Sequence, residues 1–213
     1  MDFLNALILL LNYIFVPALA YGSQLAIGAI FVTLIYGILR FANFATGDMM
    51  SFGTMVAILF TWYFQSLGLS LGFLPTALLA IPFAILFMGL YMLIIDKFVF
   101  KYYRLNKSPP VQLAMVSIGV MFVTQAVVRI IIGPSDRRFF DGEKFLIKAN
   151  EFKEMTGLNE GLAIKSTQVI TIVVTIILVS TLFWFLNKTK TGKSMRAYSD
   201  NEDLALLSGI DPK

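Results

Sequence analysis

No charged side chain occurs from Phe3 to Leu39, and none from Met49 to Ile95, runs of 37 and 47 residues. Nothing else in the sequence restricts the fold so severely. A transmembrane helix needs roughly 20 apolar residues to cross a hydrocarbon layer about 30 Å thick, and these runs supply that length more than once. The composition agrees: 58% of the 213 residues are hydrophobic and 14% are charged, where a soluble domain carries about 25% charged residues. The chain is therefore expected to be an integral membrane protein, an all-α polytopic transmembrane helix bundle forming a single domain over residues 1–213. The predicted spans are Ala18–Leu39, Gly47–Tyr63, Leu74–Ile95, Val111–Ile132 and Thr167–Leu186. Only the fourth holds a basic residue, Arg129, close enough to its end to snorkel to the interface.

The first run is too long for one span. As a single helix its 37 residues would measure about 55 Å. Pro17 and Gly22 offer a break, so residues 1–16 are expected as a short separate apolar segment, interfacial or re-entrant. Ala18-Leu19-Ala20 mimics a signal-peptidase site, but Met1-Asp2-Phe3 lacks the positive start that signal peptides carry.

Basic residues set orientation, because loops rich in Lys and Arg stay cytoplasmic. Residues 96–110 hold Lys97, Lys101, Arg104 and Lys107 against one acid, Asp96, and Lys188, Lys190, Lys193 and Arg196 follow the last span. The loop 133–166 carries six basic and six acidic residues, and residues 64–73 carry none. The alternation predicts 96–110 and 187–213 inside, with 64–73 and 133–166 outside. Turn signals at Gly133-Pro134, Asp141-Gly142 and Thr156-Gly157 suggest that the 133–166 loop is a small external cap with one short helix near Asn150–Met155.

Several chemistries are excluded early. The chain has no cysteine and no histidine, so it lacks thiolate metal sites, disulfides and the commonest general base and metal ligand. No serine, carboxylate and base constellation sits at an interface, and no metal or organic cofactor is expected. Thr191-Gly192-Lys193-Ser194 imitates the tail of a phosphate-binding loop, but Asn187 stands where that motif needs its first glycine. A nucleic-acid partner has no support, since no basic patch interleaved with aromatics lies on a soluble domain.

Two stretches stand out against this background. In Phe41–Met50, "FANFATGDMM", the polar residues Asn43, Thr46, Gly47 and Asp48 gather between two apolar runs, just after Arg40. An Asp facing lipid at mid-depth costs about 2.5–3.5 kcal/mol, so Asp48 is expected elsewhere. Either Phe41–Thr46 is an interfacial turn with Thr46 or Asp48 capping the next helix, or the turn dips into the bundle and lines a water-filled cavity. The second stretch follows the last span. Ser199 and Glu202 form a capping-box pattern, Leu204, Ala205 and Leu207 supply an apolar face, and Gly209 is a natural stop. A short amphipathic helix is predicted over Asn201–Ser208, too short to stand alone. Small residues at Ala18, Gly22 and Ala26, and at Gly53 and Ala57, predict faces where helices approach closely.

The spacing Gly192…Arg196-Ala197…Ala205…Gly209-Ile210 resembles the cytoplasmic coupling loop of permease subunits in branched-chain amino acid ABC importers. Tyr36-Gly37-Ile38, Asn43-Phe44-Ala45, Gly47-Asp48 and Gly53 resemble a second pattern of the same family, and Gly22-Ser23 and Ser117-Ile118-Gly119 fit it too. The resemblance runs from about Ala18 to the end and is weakest over 133–166. It implies a multi-pass permease of the bacterial inner membrane that is not itself an enzyme. The implied partners are ATPase subunits that bind ATP, a second permease, homologous or identical, an external substrate-binding protein and the lipid bilayer. The substrate implied is a branched-chain amino acid, or urea or a short amide. Asn43, Thr46, Gly47 and Asp48 become candidates for the substrate pathway. Gly192, Arg196, Ala197, Glu202, Ala205, Gly209 and Ile210 become candidates for coupling to the ATPase. Thr46 stands where the family often has His, which puts a proton-linked role there in doubt. Family members continue through further spans beyond this point, so a truncated chain is expected. The competing reading is a secondary transporter or channel driven by an ion gradient, with Asp48 as its ion site.

Overall fold

The computed structural model describes residues 2–69, 71, 72, 74–106, 108–138, 140 and 144–209, and the side chains of all of these but Asp2, Leu39, Glu202 and Asp203. The protein is all-α and polytopic. Among the described residues four helices are long and apolar enough to cross a membrane: Phe3–Ile38, Ala77–Leu105, Pro110–Ile132 and Ser166–Lys188. The chain divides into two compact units, residues 35–141 and residues 1–34 with 142–213.

The expected break at Pro17 is absent. Helix α1 (Asp2–Leu10) passes through a π turn (Leu11–Phe15) directly into α2 (Val16–Leu39), so residues 3–16 do not form a separate segment. Proline lacks an N–H and its ring crowds the carbonyl four residues back. Here the helix widens just before the ring: the Val16 N–H donates to Leu11 O, five residues back, a local adjustment that lets a helix continue past such a fault. The resulting 36-residue helix is about 54 Å long, so part of it lies outside a hydrocarbon layer of about 30 Å. Gly22 meets no neighbour within 4 Å, so the small-residue face at Ala18, Gly22 and Ala26 is not a close helix contact among the described residues.

In the unit formed by residues 1–34 and 142–213, Asn12 lies in the π turn. Its Oδ1 accepts from the Ala163 N–H at 3.2 Å and its Nδ2 donates to Gly161 O at 3.5 Å. The side-chain amide thus does for this segment what a neighbouring strand would do. Two short antiparallel strands, β1 (Phe145–Ile147) and β2 (Ile164–Lys165), pair Phe145 with Lys165 and Ile147 with Ile164. Between them, helix α7 (Ala149–Thr156) stops at Gly157 in the left-handed conformation, φ +68°. Helix α8 (Ser166–Lys188) then begins, with the Gln168 side chain accepting from the Lys165 N–H at 3.1 Å.

The unit of residues 35–141 holds α3 (Thr46–Ser66), α4 (Ala77–Ile95), a second π turn (Asp96–Phe100), α5 (Lys101–Leu105) and α6 (Pro110–Ile132). Helix α3 forms where a span was expected but is not among the four candidate spans. The reason is its sequence: Thr46, Asp48, Ser51, Thr54 and Thr61 dilute its apolar residues. It packs on α4 and α6, and Thr46, Met49, Gly53, Met55, Val56 and Thr61 are buried. Aromatic rings join α3 to α4, with Phe52 stacked on Tyr91 at 4.1 Å and Phe60 on Phe83 at 4.7 Å. Such pairs stabilise by about 0.5–1.5 kcal/mol beyond the area they bury. Buried hydroxyls satisfy themselves by bonding back one turn: Thr61 to Ala57 O at 2.7 Å and Thr124 to Val120 O at 2.8 Å. Tyr91 reaches across to Thr124 at 2.9 Å.

Gly53 is buried on the face of α3 that meets Met88 of α4. A Cβ there would lie 2.8 Å from Met88 Sδ, the far end of a flexible side chain that can swing aside. Gly53→Ala is therefore expected to shift stability by less than about 1 kcal/mol, since helix propensity offsets the crowding. Gly53→Phe should lose about 1–3 kcal/mol by overpacking. Thermal unfolding in detergent separates the two, and equal losses from both would show that Met88 cannot move.

Candidate functional site

The polar stretch "FANFATGDMM" forms the corner between α2 and α3. Arg40 ends α2 with φ +54°, the one positive φ among the described non-glycine residues, and its N–H donates to Tyr36 O at 2.9 Å. A side chain in this region costs about 1–2 kcal/mol, so the surrounding packing must hold it. That packing is visible: Phe41 and Ala45 are buried in a cluster with Met49, Ile95, Phe100, Leu113 and Val120.

Asn43 organises the turn. Its Oδ1 accepts from the Ala45 N–H at 3.1 Å, and its backbone carbonyl accepts from Thr46 Oγ1 at 2.8 Å. Thr46 is buried, Asn43 and Asp48 are half-buried and Gly47 is exposed. Neither Thr46 nor Asp48 caps α3: the N-cap position is Ala45, which makes no side-chain capping bond. Instead the Thr46 hydroxyl points back to Asn43, and Asp48 sits in the first helical turn, where the helix dipole favours an anion. The Asp48 carboxylate makes no hydrogen bond or ion pair with another described residue. The four predicted residues are thus adjacent, with Asn43 and Thr46 shaping the corner and Asp48 left available.

One residue outside the predicted set fixes this corner. Ser117 on α6 is fully buried. Its Oγ accepts from the Phe44 N–H at 3.0 Å and lies 2.7 Å from Ala114 O and 3.4 Å from Ala42 O. A serine 73 residues away holds the turn, and no local pattern marks it.

The second constellation lies after α8. A single residue, Thr189, separates α8 from α9 (Lys190–Asp200), and a single residue, Asn201, separates α9 from α10 (Glu202–Leu207). Both act as N-caps. Thr189 Oγ1 accepts from the Gly192 N–H at 3.0 Å and Asn201 Oδ1 accepts from the Leu204 N–H at 3.1 Å, each cap contributing about 1 kcal/mol. The capping box expected at Ser199 and Glu202 is not what starts the helix. Ser199 lies inside α9, which runs to Asp200, and the cap is Asn201. Asx side chains cap as readily as Ser, and Asn201 stands directly before the first helical turn.

Gly192 is buried at the tighter corner. A Cβ on it would collide with Phe185 O and lie 2.7 Å from Leu186 Cα. Arg196 Nη1 reaches back to Asn187 Oδ1 at 2.6 Å, a second tie between α9 and α8. Ala205 is buried, while Ala197, Leu204, Leu206 and Leu207 are exposed. Gly209 ends α10 with φ +79°, a conformation that favours glycine. Ile210 and the Glu202 side chain lie outside the described residues. The capping roles of Thr189 and Asn201 have a usable signal, a Thr or Asn just before a polar helix start, whereas the tie from Asn187 to Arg196 has none.

Hydrocarbon-length helices, a polar corner packed against the end of α4 and α6 and a helical elbow beyond the last span define a multi-pass membrane protein. Among the described residues no group of His, Cys, Asp or Glu could hold a metal. The chain belongs to the branched-chain amino acid transport system permease component family, whose profile matches residues 14–213. It is 26% identical over 194 residues to the high-affinity branched-chain amino acid transport system permease protein LivH of Escherichia coli K12, covering 89% of this chain and 59% of that protein. The LivH protein of Salmonella typhimurium is similar to the same extent, 26% over 194 residues. The chain thus spans about three fifths of the length of the curated relatives it matches. No solved structure matches the chain.

Proposed function

We propose that this chain is the membrane-spanning part of a permease subunit in an ATP-binding-cassette importer, moving branched-chain or related amino acids across a bacterial inner membrane. The observation that carries the reading is the elbow at 189–209. Its Gly192, Arg196, Ala205 and Gly209 fit the spacing of the family's coupling loop, and α10 leaves Leu204 and Leu207 exposed for a partner. ATP is bound and hydrolysed by separate ATPase subunits. A second permease, homologous or identical, and an external substrate-binding protein complete the assembly. Asn43, Thr46, Gly47 and Asp48 are proposed to border the substrate pathway.

A second reading, ion-gradient-driven transport, draws on the half-buried Asp48 that no described residue neutralises. One experiment separates them. Inverted vesicles carrying the full transporter are supplied with ATP, with or without an ionophore. Under the first reading transport requires ATP, survives the ionophore and is lost when residues 196–210 are scrambled. Transport that collapses with the ionophore, ignores ATP and disappears in Asp48→Asn would establish the second.

A further inference from the structure

The geometry points to a binding site for the headgroup of an acidic phospholipid at the end of α4, formed by Lys97 and Lys101 with the exposed rings of Phe98 and Tyr102. The apolar part of this helix, Ala77–Ile95, has 19 residues and is about 28 Å long. It covers the hydrocarbon layer. The ten residues from Asp96 to Leu105 continue the same helix by about 15 Å, enough to cross a headgroup layer about 5–8 Å deep on one side of a bilayer.

This extension has two contrasting sides. Phe100 is buried in the cluster that includes Phe41 and Leu113, and Val99 and Tyr103 pack against that cluster. The other side is bare: Phe98 is 74% exposed and Tyr102 63%, and Lys97 and Lys101 are exposed as well. Residues 97 and 101, and likewise 98 and 102, are four apart and stack along the helix. A row of cations therefore runs beside a row of aromatic rings. Solvent alone accounts for the lysines but not for two large rings held in the open. A bilayer interface accounts for both, since Tyr and Phe rings settle among acyl ends and carbonyls while cations meet phosphates.

The charge balance selects the lipid. Asp96 is the single acid of the segment, and it would repel an anionic headgroup. Arg104 removes that repulsion by clasping both Asp96 carboxylate oxygens, at 2.6 and 2.8 Å. Neither Lys97 nor Lys101 is in an ion pair among the described residues. Two ammonium groups thus face the headgroup layer uncompensated, which favours a net anionic lipid over a zwitterionic one.

The test uses the full-length protein in nanodiscs of phosphatidylethanolamine with a minor share of phosphatidylglycerol. Lipids that stay bound through delipidating detergent are identified by native mass spectrometry. Phosphatidylglycerol should be retained in excess of its share, and Lys97→Gln with Lys101→Gln should cut that retention on the order of tenfold. The paired Lys97→Arg and Lys101→Arg variant should keep it, as should Lys188→Gln with Lys190→Gln. Inorganic phosphate at millimolar concentration should not displace the lipid, because the rings hold its acyl ends. Retention unchanged in the glutamine pair overturns the proposal. So does a wild-type protein that shows no preference, or one whose phosphatidylglycerol is released by phosphate, which would mark the site as a bare anion site.

Discussion

Gly192→Ala should abolish coupled transport while leaving the protein in the membrane. The added Cβ falls on Phe185 O and 2.7 Å from Leu186 Cα. These are backbone atoms in the last turn of α8, so no rotamer change relieves the clash. Thr189 is the only residue between α8 and α9, so the connection has no slack to absorb a shift. Overpacking of this kind costs about 1–3 kcal/mol. Opposing it are one N-cap bond, worth about 1 kcal/mol, and the exposed Arg196 to Asn187 contact, worth less than that once solvent competes. The clash matches the ties over most of its range and exceeds them at its upper end, and it falls on backbone that cannot step aside, so the corner should open. Helix α8 itself, 23 residues from Ser166 to Lys188, should stay in place. The expected result is normal abundance in the membrane, faster amide exchange over residues 189–200 and uptake at background. Gly192→Ala protein with wild-type exchange and uptake would sink this account of the elbow. The contrast with Gly53→Ala is instructive: there the obstacle is Met88 Sδ, which can move.

Much of the fold was legible because the membrane leaves few alternatives. A backbone without water must bond to itself, so long apolar runs can only be helices. The structure accordingly places α4, α6 and α8 on the apolar runs. Pro17 and Gly22 do not break the helix, because the π turn at Leu11–Phe15 re-registers it before the proline ring arrives. No sequence pattern announces a π turn. Ser199 is not the cap because α9 runs on to Asp200, and Asn201, standing directly before α10, bonds the Leu204 N–H instead. The polar corner was found from its composition, but its internal bonds were not. Thr46, which with Asp48 is one of two caps offered by the interfacial-turn reading, instead donates to the Asn43 carbonyl. The partner that holds the corner, Ser117, is distant in sequence and indistinguishable there from any small residue of an apolar helix. Helix existence is written locally; what the buried hydroxyls bond to is decided in three dimensions.

Ser117 therefore gives the sharper test of the corner. Ser117→Ala removes the acceptor for the Phe44 N–H, now bonded at 3.0 Å, and adds no route for water, since Ser117 is fully buried. An N–H left without a partner in such a place costs about 1–3 kcal/mol. The loss should fall on residues 41–46 and not on α6, because the Ser117 bond to Ala114 O merely doubles a carbonyl already served by its own helix. Arg40 makes the corner sensitive, as its left-handed backbone returns about 1–2 kcal/mol when the turn relaxes. The two terms act in the same direction. Ser117→Ala should lower the thermal midpoint in detergent, speed amide exchange over residues 41–46 and reduce uptake by displacing Asn43 and Asp48. Ser117→Thr keeps the hydroxyl and should preserve protection at the Phe44 amide, even if its methyl group lowers the midpoint. If Ser117→Ala left that amide as protected as before, the corner would be held by the packing of Phe41 and Ala45 alone, and the role assigned to Ser117 would be wrong.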